Sequence, residues 1–236
     1  MIKVLPQLAA KVKGAALNLL FPQRCLGCGE EGSLLCHACQ KHMPRVVAPI
    51  CPKCGRPQSS GILCSSCVAW HNSIDGIRSP LKFEGLIREA VHQFKYKNLR
   101  SLSGPLGTIL RDYLVQNPLP ALVLVPVPLH SRRLRERGYN QSFLLVKELS
   151  YLLRLPVASD SLTRTKYLVP QAKTASVEER RQNVSQAFTC NSGFKGAHAL
   201  LIDDVATSGA TLDACALALK SAGALSVWGL VVAREL

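Results

Sequence analysis

The chain has 236 residues, 47% of them hydrophobic, and its 29 Lys and Arg against 15 Asp and Glu give a formal charge of +14. That length buries one full core plus a smaller module, and the apolar content excludes a disordered chain. The basic excess favours polyanions, although it also serves solubility.

Nothing at the amino terminus reads as an export signal. Residues 15–21 are interrupted by Asn18, follow Lys11 and Lys13, and precede no small-residue cleavage site. No run approaches the ~18 apolar residues of a membrane span, so no integral membrane segment is expected. A cytoplasmic location is expected, where thiols stay reduced. Residues 1–22 form a first region: Leu8, Val12, Ala15, Ala16, Leu19 and Leu20 share one helical face over 7–20 beside Lys11 and Lys13, and Pro22 ends the run. Such a basic amphipathic helix packs on its own protein or touches a membrane surface or a partner.

Residues 23–69 form a cysteine-rich module. Eight of the ten cysteines fall into four C-x-x-C pairs: Cys25 and Cys28, Cys36 and Cys39, Cys51 and Cys54, Cys64 and Cys67. Repetition of the zinc-ligand spacing points to a double zinc ribbon with two structural four-cysteine sites. Sequential pairing is simplest, interleaved pairing satisfies the same spacing, and His37 could replace a cysteine. Gly29 and Gly55 follow Cys28 and Cys54 directly, where a metal knuckle needs positive φ. Closed four-thiolate shells leave no position for water, and metal binding is expected to supply the module's folding free energy. Each site carries −2, so two of them bring the formal charge from +14 to +10 and leave the basic excess intact. Lys41, Arg45, Lys53 and Arg56 against Glu30 and Glu31 tilt the ribbon towards nucleic acid, with protein binding and simple bracing as alternatives. Cys190 and Cys215 lack a C-x-x-C partner and are expected to be buried thiols.

Residues 70–236 form the main domain. Leu86, Ile87, Ala90, Val91 and Phe94 make a helical face within 83–99, ringed by Lys82, Arg88, Lys95, Lys97 and Arg100, and Tyr96 among them could stack on a base. A second helix is expected over 106–114. The apolar strand 121–125 runs through Pro126-Val127-Pro128-Leu129 into a loop bearing His130, Arg132, Arg133, Arg135 and Arg137, whose forked donors suit phosphate oxygens. His130 is a candidate proton donor. Asn140 could cap the helix carrying Phe143, Leu144, Val146, Leu149 and Leu153. A short strand near 155–158 precedes the polar, basic stretch 163–188.

The apolar run 199–202, followed by Asp203 and Asp204, suits a buried parallel strand, and 211–222 has helical spacing. The small residues between them, Ala206-Thr207-Ser208-Gly209-Ala210-Thr211, join a strand's carboxyl end to a helix's amino end. A phosphate docks at such a junction on unpaired N–H groups and the helix dipole. Two adjacent carboxylates repel a phosphate, but they accept from ribose hydroxyls, and Mg²⁺ offsets the remaining charge. Leu212, Cys215, Ala216 and Leu219 share a helix face that ends near Gly223, and the strand 226–233 closes a βαβ unit of a parallel sheet.

Residues 199–211 closely resemble the phosphoribosyl pyrophosphate (PRPP) motif of type I phosphoribosyltransferases. The resemblance implies an α/β parallel-sheet fold of that type, with Asp203 and Asp204 facing the ribose 2′ and 3′ hydroxyls. Ala206, Thr207, Ser208, Gly209, Ala210 and Thr211 would hold the 5-phosphate. Leu129, His130, Arg132 and Arg133 would form the pyrophosphate loop, and 163–188 the hood that closes over PRPP. The paired ribbon, Val125-Pro126-Val127-Pro128, Arg137-Gly138-Tyr139-Asn140-Gln141-Ser142 and the PRPP motif, in this order, resemble the ComF family of bacteria, whose relatives include GntX. Arg164, Gln171, Arg180, Asn183, Ala187 and Phe188 fall on that family's hood pattern.

The family resemblance implies a cytoplasmic accessory protein of natural transformation that handles imported single-stranded DNA, or supports growth on DNA, with no established reaction. DNA-contact candidates are Arg132, Arg133, Arg135, Arg137, Lys95, Lys97, Arg180 and Arg181. Two alternatives stand beside this: a phosphoribosyltransferase acting on a nucleotide or DNA acceptor, and a scaffold between an import helicase and a recombination mediator. Glutamine-fed amidotransfer is not expected, because that chemistry needs a glutaminase domain with an amino-terminal cysteine. Ordinary purine salvage is not expected either, since Thr207 stands where those enzymes carry a carboxylate base. No catalytic residue is assigned.

Overall fold

The computed structural model describes residues 22–68, 73–165, 187–191 and 193–236. The helix expected over 7–20 lies outside these residues, as do Gln171, Arg180, Arg181 and Asn183. Two compact units divide between Met43 and Pro44.

In the first unit a knuckle closes when Gly29 N–H donates to Cys25 C=O at 2.9 Å, with Gly29 at φ 77. Helix α1 (His37–Lys41) follows, its first turn capped by the Cys36 sulfur, which accepts from Cys39 N–H. The second unit begins with the same turn, Gly55 N–H to Cys51 C=O at 2.9 Å with Gly55 at φ 72. Helix α2 (Ser65–Val68) carries the last ligand pair onward.

The elements that follow are β1 (Gly76–Arg78), β2 (Leu81–Lys82), α3 (Gly85–Tyr96), α4 (Ser103–Gln116), β3 (Val123–Pro126), α5 (Ser131–Arg137), α6 (Gln141–Leu153), β4 (Leu162–Arg164), β5 (Phe188–Cys190), β6 (His198–Ala206), α7 (Ala210–Ser221) and β7 (Ser226–Arg234). The sheet runs β1-β7-β6-β3, with β2 also beside β7, and every pairing in it is parallel. Strands β4 and β5 form a separate antiparallel pair. The apolar runs of β6 and β7 suit strands covered on both faces. On one face Val125, Ala199, Leu201, Val227 and Val231 pack with Leu212, Cys215, Ala216 and Leu219 of α7 and with Leu162 and Phe188. Alternation sends Leu124, Leu200, Ile202, Leu230 and Val232 to the other face, where α6 packs on β3 and β6, and α4 on α6 and β7.

Three sequence expectations change. The arginine cluster is a helix, α5, stabilised by the Arg132–Glu136 pair one turn apart and ended by Gly138 at φ 76. The strand near 155–158 reduces to a single bridge between Leu124 and Val157, because Pro156 has no N–H to continue a ladder. Cys215 is fully buried, but Cys190 is only half-buried. Among the described residues no helix is long and apolar enough to cross a membrane.

The second knuckle is pressed onto the sheet. Ile77 N–H donates to Lys53 C=O at 2.7 Å, Arg78 Nη1 donates to Pro52 C=O at 2.9 Å, and the Arg78 guanidinium lies 4.9 Å from the Trp228 ring centroid. A Cβ on Gly55 would come within 2.4 Å of the Ile77 carbonyl oxygen, whereas one on Gly29 would meet nothing within 4 Å. Gly55→Ala is therefore expected to destabilise the zinc-loaded protein by about 1–3 kcal/mol for the left-handed backbone plus the clash, and Gly29→Ala by the backbone term alone. Urea denaturation of both variants checks this; equal losses would contradict it.

Candidate functional site

Two groups of sulfurs assemble, Cys25 with Cys28, Cys36 and Cys39, and Cys51 with Cys54, Cys64 and Cys67, each with its ligand atoms within 4.8 Å of one another. Tetrahedral zinc–sulfur bonds put sulfurs about 3.8 Å apart, close to the 3.6 Å between Cys28 and Cys36 and the 3.7 Å between Cys54 and Cys64. The pairing is sequential, and neither group includes His37. Backbone N–H groups of Cys36 and Cys64 reach the sulfurs of Cys25 and Cys51 at 3.4 and 3.5 Å. Burial opposes ionisation of Cys25 and Cys51, yet backbone donors bring both down to about 6, while the neighbouring thiols Cys36, Cys25 and Cys28 push Cys39 up to about 12. Four thiols crowded this way fit a thiolate-binding cation that displaces their protons.

The second site lies where β6 meets α7. The strand continues through Asp203 and Asp204 to Ala206, so the two carboxylates leave on opposite faces. Asp204, 2% exposed, turns to the face covered by α6. There its Oδ1 pairs with Lys95 Nζ of α3 at 2.6 Å and its Oδ2 accepts from Gln141 Nε2 of α6 at 2.9 Å. Burial opposes the Lys95 charge, but Asp204 holds its pKa above the ordinary lysine value. Asp203, half-buried, accepts from Ser142 Oγ at 2.8 Å and from Asp204 N–H at 2.9 Å. Burial first and the Asp204 charge second push its carboxyl up to about 7, against Lys95 and Ser142.

The loop after the strand is compact. Ser208 Oγ accepts from Ala210 N–H at 3.3 Å, and Gly209 at φ 81 turns the chain into α7. Ala206, Gly209 and Ala210 are buried, Ser208 and Thr211 half-buried and Thr207 exposed. The first N–H groups of a twelve-residue helix face this loop with no intrahelical partner.

The basic candidates separate into two sets. Lys95, Arg133 and Arg137 line one cleft of about 490 Å³ together with Tyr96, Asn98 and Glu136. Arg132, Arg135 and Lys97 are not part of that lining, Leu129 and His130 are half-buried, and His130 Nδ1 caps α5 by accepting from Arg132 N–H at 3.2 Å. With Nδ1 as acceptor the ring proton lies on Nε2, the atom from which the proton donation expected of His130 would come. Lys95, a DNA-contact candidate, lines the cleft and is also the partner of Asp204. Tyr96 is exposed, with the Arg137 guanidinium 5.1 Å and the His92 ring 5.0 Å from its ring centroid. Arg164 of β4 lies over Phe188 at 5.4 Å, its Nε buried without a partner. Its pKa is drawn down by burial and by the like charge of Arg133, against Cys215 and Asp203. Arg133 and Asp203 thus both act on the Arg164 guanidinium, with opposite signs.

From the sequence, Gln141 and Ser142 have no role beyond the family resemblance, and Lys95 is a DNA-contact candidate. The hexapeptide 137–142 was the signal. Tyr139 O–H donates to Phe94 C=O, Asn140 Oδ1 caps α6 by accepting from Ser142 N–H at 3.0 Å, and Asn140 Nδ2 donates to Val127 C=O at 3.0 Å.

Comparison with known proteins places this frame. Residues 16–68 match the double zinc ribbon domain family. Over 228 residues the chain is 32% identical to Competence protein F of Haemophilus influenzae, covering 89% of this chain and 97% of that protein. The chain belongs to the ComF family. Other members similar to it are Competence protein ComFC of Bacillus subtilis, 28% identical over 202 residues (80% of this chain, 79% of that one), and DNA utilization protein YhgH of Escherichia coli K12, 29% identical over 202 residues (82% and 88%). Among solved structures the chain is similar to a purine phosphoribosyltransferase from Pyrococcus horikoshii, at 14% identity and TM-score 0.36 over 56% of this chain and 82% of that one. It is also similar to the glutamine PRPP amidotransferase from B. subtilis, at 20% identity and TM-score 0.37, covering 54% of this chain and 26% of that one. In this ComF-family chain the two four-cysteine groups are zinc-binding sites of the double ribbon.

If the Lys95–Asp204 pair holds the site's floor, Lys95→Met leaves a buried, unpaired carboxylate and is expected to cost about 3–5 kcal/mol. Adding Asp204→Asn, which keeps an acceptor for Gln141, is expected to recover most of that loss in urea denaturation. A double variant no more stable than Lys95→Met would contradict the pairing.

Proposed function

We propose that this ComF-family protein acts in the cytoplasm on single-stranded DNA imported during natural transformation, and that its α/β domain binds PRPP with Mg²⁺. The observation that carries the ligand reading is the buried Arg164 Nε without a partner, on whose guanidinium both Arg133 and Asp203 act, together with a loop of small residues at a helix amino terminus. Two guanidiniums that repel one another, one with a buried unpartnered Nε, suit a diphosphate between them. The loop 206–211 suits the 5-phosphate. Asp203 is the carboxylate suited to the ribose hydroxyls, since both oxygens of Asp204 have protein partners.

Magnesium fits this donor set in a limited way. Mg²⁺ keeps several waters and takes one or two carboxylates plus phosphate oxygens, so Asp203 with the ligand's own oxygens would hold it and Asp204 would not. Bound there, the ion neutralises part of the diphosphate charge. The names of the relatives, competence proteins and a DNA utilization protein, support the DNA reading, as do the +14 charge and the cleft basic residues Arg133 and Arg137. Arg132 and Arg135 on the same helix extend the basic surface.

A second reading, phosphoribosyl transfer to a nucleotide or DNA end, is favoured by Asp203, whose carboxyl near 7 can exchange a proton at neutral pH. A third, a scaffold between import helicase and recombination mediator, makes the ribbon the working part. Transformation efficiency in a host carrying this chain in place of its own relative, with protein levels matched, separates these readings. Arg133→Gln and Asp203→Asn are each expected to lower it by about tenfold, the equivalent of one lost charged hydrogen bond. Unchanged transformation with both variants, together with loss on replacing the ribbon cysteines, would overturn the phosphoribosyl reading in favour of the scaffold. Pyrophosphate release from PRPP on adding a nucleotide or DNA acceptor would favour the transferase.

A further inference from the structure

Arg234, at the end of β7, is 1% exposed, and its Nε and Nη1 have no hydrogen-bond partner. An arginine does not shed its charge by deprotonation, so a buried guanidinium needs a counter-charge. Among the described residues no carboxylate figures among the groups that act on it most strongly. The groups that do are the sulfurs of Cys54, Cys67 and Cys51, which attract it, and Arg56, which repels it. Arg56 likewise has a buried Nε without a partner. Free thiols are weak partners for guanidiniums, but four thiolates on one zinc ion carry −2, a counter-charge for Arg234 and Arg56 and for Arg78, on which Cys51 and Cys54 also act. The unpartnered nitrogens therefore fit the metal-loaded state of this site.

We infer that Arg234, with Arg56 beside it, is the fixed counter-charge of the second four-cysteine zinc site, and that it holds this zinc against loss while the first site exchanges its ion readily. The first site lacks the device. Cys28 is exposed, Cys36 and Cys39 are half-buried, and the one arginine among residues 22–43 is Arg24, exposed and paired with Glu31 at 2.8 Å. At the second site Cys51, Cys54 and Cys67 are buried, and a desolvated cation strengthens its hold on a metal–thiolate charge that water would otherwise screen. Outer partners of this kind keep ligands ionised and oriented.

The position of Arg234 gives the device a consequence. Arg234 lies opposite Ala206 in the β6–β7 ladder, its C=O accepts from Phe83 N–H at 2.8 Å, and Glu235 N–H donates to Ala206 C=O at 3.0 Å. The strand end that balances the second zinc is the one that flanks the small-residue loop. Loss of that zinc leaves an unbalanced cation beside the loop, whereas loss of the first does not.

Zinc transfer from the full-length protein to a colorimetric chelator tests this independently of any PRPP or DNA binding. The wild type is expected to release two ions per chain in two phases, one fast and one slow. Arg234→Met is expected to accelerate the slow phase by about 10–100-fold, the usual effect of removing an outer partner of a metal ligand, and to leave the fast phase unchanged. Arg234→Lys, which keeps the charge, is expected to stay closer to wild type. If Arg234→Met does not fold, Arg56→Gln carries the test with the same direction expected. A single release rate in the wild type, or a slow phase unaltered in the folded variants, overturns the inference.

Discussion

The buried ion pair between Lys95 and Asp204 is the constraint on which the rest of the α/β unit depends. It joins α3 to the end of β6 at 2.6 Å, in a setting where Asp204 is almost fully removed from water. An unpaired charge at that depth is strongly destabilising, so the arrangement around it is tightly determined. Gln141 takes the second oxygen of Asp204, Ser142 takes Asp203, and both stand in the first turn of α6, which Asn140 caps. The hexapeptide 137–142 thus fixes α3, α5, α6 and β6 relative to one another. Because adjacent strand residues face opposite ways, Asp204 is committed to the Lys95 pair while Asp203 turns to the other face of the sheet.

The zinc ribbon enters the same frame through its second half. Residues 51–56 hydrogen-bond to β1, Gly55 is pressed against Ile77, and the buried Arg234 of β7 lies within electrostatic reach of the sulfurs of Cys54, Cys67 and Cys51. A small knuckle with little apolar surface of its own relies on metal for its fold. Here the metal charge also matches cations supplied by the knuckle and the sheet, which makes the second site part of the α/β unit's own electrostatics.

How much of this was legible depended on how local each signal is. The spacing alone identifies the eight zinc ligands, whereas the choice of sequential over interleaved pairing needs the structure. The strand-loop-helix of 199–222 was equally plain, because an apolar run, small residues and helical spacing follow within one short stretch. The partner of Asp204 was hidden: Lys95 sits among Arg88, Tyr96, Lys97 and Arg100 and reads as one more solvated cation, and only tertiary structure aims it at the sheet. The arginine cluster suggests a loop for a related reason, since charge suggests solvent, yet it is helical. The Arg132–Glu136 spacing and Gly138 were nonetheless helix signals within reach. Whether Asp203 and Asp204 act together or apart hinged on where β6 ends, and strand ends depend on the neighbouring strand more than on their own residues.

The central claim, that the β6–α7 junction is a phosphoribosyl diphosphate site built on Asp203, Arg133 and Arg164, is tested most directly by isothermal titration of the zinc-loaded protein with PRPP. The account predicts saturable binding of one PRPP per chain that strengthens with Mg²⁺ and weakens in Arg164→Gln, while ribose 5-phosphate binds more weakly because it lacks the diphosphate. Absence of binding, or equal affinity for PRPP and ribose 5-phosphate, would contradict it.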